Sequence, residues 1–393
     1  MAGVAVTSET AVPSRSRPFL PLLTVSLLTG VGYALAGPFM SLFLIKELNA
    51  GPFAVGAFLL TSALAALVTS TVIGRLSDAR AVRRNLMVFG ALAGGVSFGL
   101  FAVLRNYWLL LVVSLTLAAV ASSVMPQMFA YARQSLERTG SARAPLAIST
   151  LRMMVSVSWV AGPPVAALLI DFSGFTGLFL VSAAVYLVGA AVTFVLLPEL
   201  GGGESTHGAA DRSGPRREIV LAACAFVLLQ GATAVSVLAM PLYVTDVLHG
   251  TTGDAGLVLG LCAALEIPLM VGFGALAIRI NQRLLVLAGG AVALAYYAVM
   301  LVTQATWQVA VAQALHAVVI AAVMGVGISY FQDLVPDRPG YATTLFTNTA
   351  KISAMLAGPL LALSQVFGYR SAFGIGLVMS VVGLVLLVAA RRR

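Results

Sequence analysis

Apolar runs of roughly 20 residues or more follow one another along almost the whole chain, separated only by short polar stretches. Inside hydrocarbon, backbone N–H and C=O groups find no water, so such segments must satisfy them internally or in a closed barrel. Barrel strands alternate polar and apolar residues over about ten positions, and these runs do not alternate. They predict membrane-spanning helices. Composition points the same way: 60% of the 393 residues are hydrophobic and 9% charged, where a soluble domain carries about 25% charged residues.

The polar breaks place spans at 18–46, 52–74, 84–104, 107–134, 143–170 and 174–198. A second set follows at 218–246, 252–279, 283–303, 306–334, 339–366 and 370–390. Breaks such as Asp171-Phe172-Ser173-Gly174 and Thr303-Gln304-Ala305-Thr306 are short enough to merge neighbouring spans, but the placement of charge argues for twelve. With both termini on one side, eighteen of the 23 Lys and Arg fall in the tails and loops of that side. Three (Lys46, Arg105 and Arg370) fall on the other side, and Arg152 and Lys351 lie inside spans. Positive residues collect on the cytoplasmic face, so both termini are expected inside a bacterial cell membrane. The net charge of +9 then implies anionic lipid headgroups rather than nucleic acid as its partner. Residues 1–17 read as a polar cytoplasmic tail, not a cleaved signal. Cys224 and Cys262 both fall inside spans and suggest neither a disulfide nor a metal site.

Residues 199–217 are Gly-rich and charged, as expected of a cytoplasmic linker between an N-terminal half (18–198) and a C-terminal half (218–390), with 391–393 a short tail. The halves repeat. At an offset of about 200, Leu42-Phe43-Leu44, Gly56, Gly74 and Arg83 match Leu242-Tyr243-Val244, Gly256, Gly274 and Arg283. At 199, Trp108, Val124-Met125 and Tyr131 match Trp307, Val323-Met324 and Tyr330, and at 196 Gly162-Pro163 matches Gly358-Pro359. Each match is weak alone; their colinear order carries the inference of two parallel six-helix repeats. Carriers built this way hold substrate near the bilayer midplane, between the halves.

The loop Gly74-Arg75-Leu76-Ser77-Asp78-Ala79-Arg80-Ala81-Val82-Arg83-Arg84 resembles the loop motif of the major facilitator superfamily, with Ala81 where that family has Gly. Gly74, Asp78, Arg83 and Arg84 are therefore candidates for an ion-pair latch that holds one closed state; ordinary cytoplasmic charge is the plain alternative. Trp159-Val160-Ala161-Gly162-Pro163-Pro164 resembles an exporter motif of the same superfamily. There Gly162 permits close helix approach, and Pro163 and Pro164 bend the helix; a simple kink is the plain alternative.

Ionisable groups within spans are candidates for function. Glu266 is the one acid of the 14 placed in mid-span, about 20 Å along its helix. An isolated carboxylate there costs several kcal/mol, which makes Arg152 a plausible partner and Lys351 the alternative; a purely structural ion pair or a protonated acid holding helices together is the plain alternative. The uncharged candidates are Gln127, Gln230, Gln313, His316 and Asn348, with the aromatics Tyr33 and Trp159. For each amide, a helix–helix hydrogen bond competes with ligand contact. No metal ligand stands near His316 in sequence.

Blocks beginning Met125-Pro126-Gln127 and Leu265-Glu266-Ile267-Pro268, with Phe331-Gln332-Asp333-Leu334 and Ala342-Thr343-Thr344-Leu345-Phe346-Thr347-Asn348, resemble the bacterial sugar efflux transporters of that superfamily. The resemblance implies proton-linked export of small sugars and glycosides, so the expectation is an all-α twelve-helix carrier, a monomer, with the proton gradient as its coupling ion and no cofactor. Glu266 is the candidate for proton coupling. Lys351 departs from the family pattern, which has a small polar residue there. A multidrug antiporter of the same fold is the nearest alternative; its cavity would be broad and apolar, without the amides seen here. A non-transporting membrane sensor would bring a soluble domain, and the polar stretches are too short to form one. The spans hold no nucleophile–base pair, so enzyme chemistry is not expected.

Overall fold

The computed structural model describes residues 19–79, 82–138, 144–199, 217–336 and 338–390; at some helix ends, Asp78 included, it describes the backbone alone. The two tails and nearly all of the 199–217 segment lie outside the described residues. Among the described residues there is no strand, and eleven helices are long and apolar enough to cross a membrane. They are α1 (Leu20–Lys46), α2 (Pro52–Ser77), α3 (Arg83–Val103), α4 (Tyr107–Ser135), α5 (Thr150–Leu196), α6 (Arg217–Val247), α7 (Thr252–Leu276), α8 (Gln282–Val302), α9 (Thr306–Leu334), α10 (Tyr341–Phe367) and α11 (Ser371–Ala389).

Eleven rather than twelve results from one junction. Over the 47 residues of α5 a straight helix would run about 70 Å, more than twice the hydrocarbon thickness of about 30 Å. It crosses as two limbs that meet at Gly174, where φ is 65° and ψ −170°, a conformation that glycine alone adopts without strain. The expected break at Asp171-Phe172-Ser173 stays helical up to that point. Ser173 Oγ donates back to Leu169 O at 2.9 Å, so this polar residue is satisfied by its own helix.

Local signals set the other starts. Asn106 caps α4, its Oδ1 accepting from Trp108 N and Leu109 N at 3.0 and 3.1 Å. Thr251 and Asp254 form a reciprocal capping box at α7. Trp108 and Trp307, which start α4 and α9, are 70% and 67% exposed, as aromatic anchors at a headgroup boundary would be.

The two ends of the bundle differ. At the far end, opposite the linker, the halves share one apolar core: Phe39, Phe43 and Val55 pack in it with Val235, Ala239, Leu242 and Leu361. The first limb of α5 crosses α7 there, and α2 crosses α10. The crossings are repeat mates. A Cβ on Gly256 would sit 2.6 Å from Pro163 O and 2.8 Å from Ala167 Cβ; on Gly56 it would sit 2.8 Å from Ala362 Cβ and 3.5 Å from Pro359 Cα. Gln365 Nε2 donates to Ala50 O at 3.2 Å, and Ser41 Oγ to Leu238 O at 2.6 Å. Toward the linker the same helices part. Gly74 on α2, and Gly272 and Gly274 on α7, have nothing within 4 Å of a Cβ position.

The three basic residues of the far end all have partners. Lys46 pairs with Asp246 at 2.8 Å and Arg105 with Glu47 at 3.2 Å. Arg105 also donates to Phe101 O at 2.9 Å and lies 5.5 Å over the Phe43 ring. Arg370 donates to Leu301 O at 2.6 Å and lies 5.5 Å over the Tyr243 ring. Residues 43 and 243, and 101 and 301, are repeat mates. Two arginines from unrelated sequence positions thus close the carbonyl ends of α3 and α8, where a helix dipole favours positive charge.

Candidate functional site

Where the crossing helices diverge, a cavity of about 350 Å³ lies between the halves, within the range of about 300–1,000 Å³ usual for small-molecule sites. Its walls are unequal. The N-terminal half contributes Val155, Ser156 and Trp159 from α5. The C-terminal half contributes Cys262 and Glu266 from α7 and Gln313 and His316 from α9, besides apolar Met240, Leu259 and Met324. Most of the hydrogen-bonding groups sit on the C-terminal side, and the Trp159 side chain forms part of the other wall. α9 winds more widely over Ala321–Gly325, a π-turn of the kind that often marks functional sites, and Met324 within it reaches the cavity wall.

The polar side is ordered by His316. Its ring stacks on Tyr296, centroids 4.4 Å apart at 6°, and Nδ1 lies 3.3 Å from Gln313 Oε1 and 3.7 Å from Cys262 Sγ. Because the amide oxygen only accepts, Nδ1 carries the proton and Nε2 is left as an acceptor. Nε2 is buried, with no hydrogen-bond partner among the described residues. Gln313 Nε2 donates to Val309 O at 3.3 Å, which fixes the amide. Cys262 and Glu266 are one turn apart and face the same way.

Glu266 makes no ion pair and no hydrogen bond with the described residues. The expected pairing with Arg152 is corrected by helix register. α5 and α7 run antiparallel: Gly256 meets Pro163, and Gly260 meets Val160 and Pro164, so Glu266 comes level with Val155 and Ser156. Arg152 lies one turn, about 6 Å, nearer the linker, exposed, with its guanidinium 5.8 Å over the Phe129 ring. Lys351 does not pair with Glu266 either, because α10 crosses α2 rather than α7.

The remaining candidates are dispersed. Tyr33 reaches the cavity through Trp159, ring centroids 5.9 Å apart. Gln127 is buried in α4, its Oε1 without a partner among the described residues, and Gln230 is buried in α6, its Oε1 accepting from Thr349 Oγ1 at 3.4 Å. Asn348 is exposed and Lys351 half-buried on α10, and neither lines the cavity. Gly162 lies against Ala34 of α1, while Pro163 and Pro164 form the crossing with α7. Arg83 donates to Gln134 Oε1 at 3.2 Å. Arg84 pairs with Glu199 at 3.2 Å and donates to Leu197 O at 3.3 Å. These bonds tie α3 to the ends of α4 and α5 within one half. The side chain of Asp78 lies outside the described residues. Sequence reasoning passed over Cys262 and Ser156 as cavity residues; the available signal was the four-residue spacing of Cys262 from Glu266.

Comparison with known proteins follows the same lines. The family model described as Major Facilitator Superfamily matches residues 22–302 and 221–393. Sugar efflux transporter A of Dickeya chrysanthemi is 35% identical over 361 residues, covering 91% of each chain. Sugar efflux transporter B of Salmonella typhimurium is 36% identical over 365 residues, covering 91% of this chain and 92% of that protein. The crystal structure of the nucleoside transporter NupG shares the fold, with a TM-score of 0.75 at 13% identity over 95% of this chain and 98% of that one.

Proposed function

Since this chain belongs to the Major Facilitator Superfamily, we propose that it exports small sugars and glycosides in exchange for protons, exposing one cavity to the two membrane faces in turn. It is a multi-pass membrane transporter of small molecules and not an enzyme. The observation that carries the sugar reading is the division of the cavity. A sugar ring presents hydroxyls at its rim and C–H bonds on its faces. The Trp159 ring suits such a face, while Gln313, His316 Nε2 and Glu266 suit hydroxyls. The sugar efflux names of the relatives support the same substrate class and the outward direction.

The test uses purified protein in proteoliposomes with a panel of labelled sugars, aryl glycosides and amphipathic drugs, with and without a proton gradient. Gradient-dependent transport of sugars or glycosides is expected; transport confined to the drugs overturns the reading. In a Cys224→Ser background a transported glycoside should also slow alkylation of Cys262 by a permeant maleimide. Undiminished labelling at saturating glycoside would place the substrate elsewhere.

The linker end is assigned to the cytoplasm. Support comes from the charge distribution, since the far end holds three basic residues and each is already matched by a carboxylate or by helix carbonyls. A cysteine at Ser205, in a chain lacking Cys224 and Cys262, should resist impermeant thiol reagents in intact cells. Labelling at the rate of an external-loop control would reverse the orientation.

A further inference from the structure

Lys46 and Asp246 stand 200 residues apart, the offset that also relates Phe43 to Tyr243 and Gly56 to Gly256. They are equivalent positions of the two halves, and they touch: Lys46 Nζ lies 2.8 Å from Asp246 Oδ1 and 3.0 Å from Oδ2. Two positions exchanged by a two-fold axis can meet only on that axis. The pair therefore marks the pseudo-two-fold at the far tip of the bundle. It joins the halves, whereas Arg84–Glu199 and Arg105–Glu47 lie within the first.

The surroundings reserve the two charges for each other. Glu47, next to Lys46 in sequence, is occupied by Arg105. Thr245 Oγ1 lies 3.0 Å from Asp246 Oδ1 and 2.9 Å from Pro241 O, so its one proton is shared between the carboxylate and its own helix. Tyr369, in the loop between α10 and α11, has its phenol pushed up to about 12 by burial and by the Asp246 carboxylate, so it stays neutral and offers no competing charge. The π-turn at Tyr243–Val247 ends α6 and places Asp246 on the axis.

We infer that Lys46 and Asp246 form a single axial latch on the far gate, closed in the state seen here and broken when the cavity opens to that side. A contact at the tip has the longest lever arm, so rocking of the halves separates it outright instead of stretching it. The inference rests on the two-state reading above, and its test reads conformation rather than transport, so the two can fail separately. With side chains 49% and 26% exposed, the pair contributes as a surface ion pair does, which corresponds to about a two- to fivefold change in the ratio of open to closed far ends.

The experiment places spin labels at Gly51 and Gln304, on far-end loops of opposite halves, in full-length carrier lacking Cys224 and Cys262, and measures their separation in liposomes. Lys46→Gln should move population toward longer distances, and Asp246→Lys, which opposes two cations, should move it further. Because the positions are symmetry mates, the exchanged pair Lys46→Asp with Asp246→Lys should restore the original distribution. Raising salt from about 0.01 to 1 M, which shortens the screening length from about 30 to 3 Å, should shift the unsubstituted carrier in the same direction and leave Lys46→Gln unmoved. Distances indifferent to Lys46→Gln, an exchanged pair no closer to the parent than either single variant, or a parent insensitive to salt would each overturn the latch. The response of the unsubstituted carrier to salt needs no change at either position and can be read even where a variant folds poorly.

Discussion

Glu266→Gln is expected to leave a folded carrier that takes substrate into its cavity and to abolish concentrative export. Among the described residues the carboxylate lines the cavity with no cation or hydrogen-bond donor committed to it, which leaves its charge open to protons and to cargo. An uncompensated charge in that setting costs several kcal/mol, and a proton removes the cost. If proton and substrate compete for this group, each weakens the other by the same factor. Glutamine has nearly the same shape but holds one charge state, so that factor falls to about one. In proteoliposomes under a proton gradient the substrate should then only equilibrate, while exchange of labelled for unlabelled substrate continues. A Gln variant that still concentrates substrate removes Glu266 from coupling; one that no longer folds assigns it to helix packing.

Gly256→Val should have the other large effect, on conformation. The position where its Cβ would stand is 2.6 Å from the carbonyl oxygen of Pro163, which is backbone and cannot rotate aside. Overpacking of this kind costs about 1–3 kcal/mol, and the cost falls on the state in which α5 and α7 are pressed together. The far end should open by a factor of about 5 to 160 in population. Gly56→Val at the mate crossing should act in the same direction. An impermeant thiol reagent applied from the far side reports the change through Cys262, which lies in the cavity wall. Equal labelling of variant and parent would mean that the crossing does not govern closure.

How far such features can be read from sequence depends on what each requires. Spanning helices follow from hydrophobicity alone, and the division into halves from colinear pairs such as Phe43 with Tyr243. The Gly-Pro of 162–163 was legible as a site of close approach because only one residue lacks a Cβ. The partner of Glu266 was not legible. Sequence gives depth in the membrane, which made Arg152 plausible, but the register of an antiparallel crossing depends on which glycine meets which carbonyl. The far-end charges stood out in sequence as the few basic residues away from the linker side; their partners, separated by as many as 200 positions, were not legible. His316 looked solitary because its neighbours Cys262 and Tyr296 come from other helices.

The glycine joint at 174 has a mechanical consequence. Most successive helices here are joined by a few residues of loop, which can absorb movement; the two limbs of α5 are joined by none. The first limb forms the seam with α7 and the second carries Tyr186, whose ring lies where side chains on Gly32 of α1 and Gly94 of α3 would otherwise stand. A tilt imposed at the seam therefore reaches the second limb undamped, and through that wedge it reaches α1 and α3. With no loop at that joint to take up movement, the N-terminal half is expected to turn as one body.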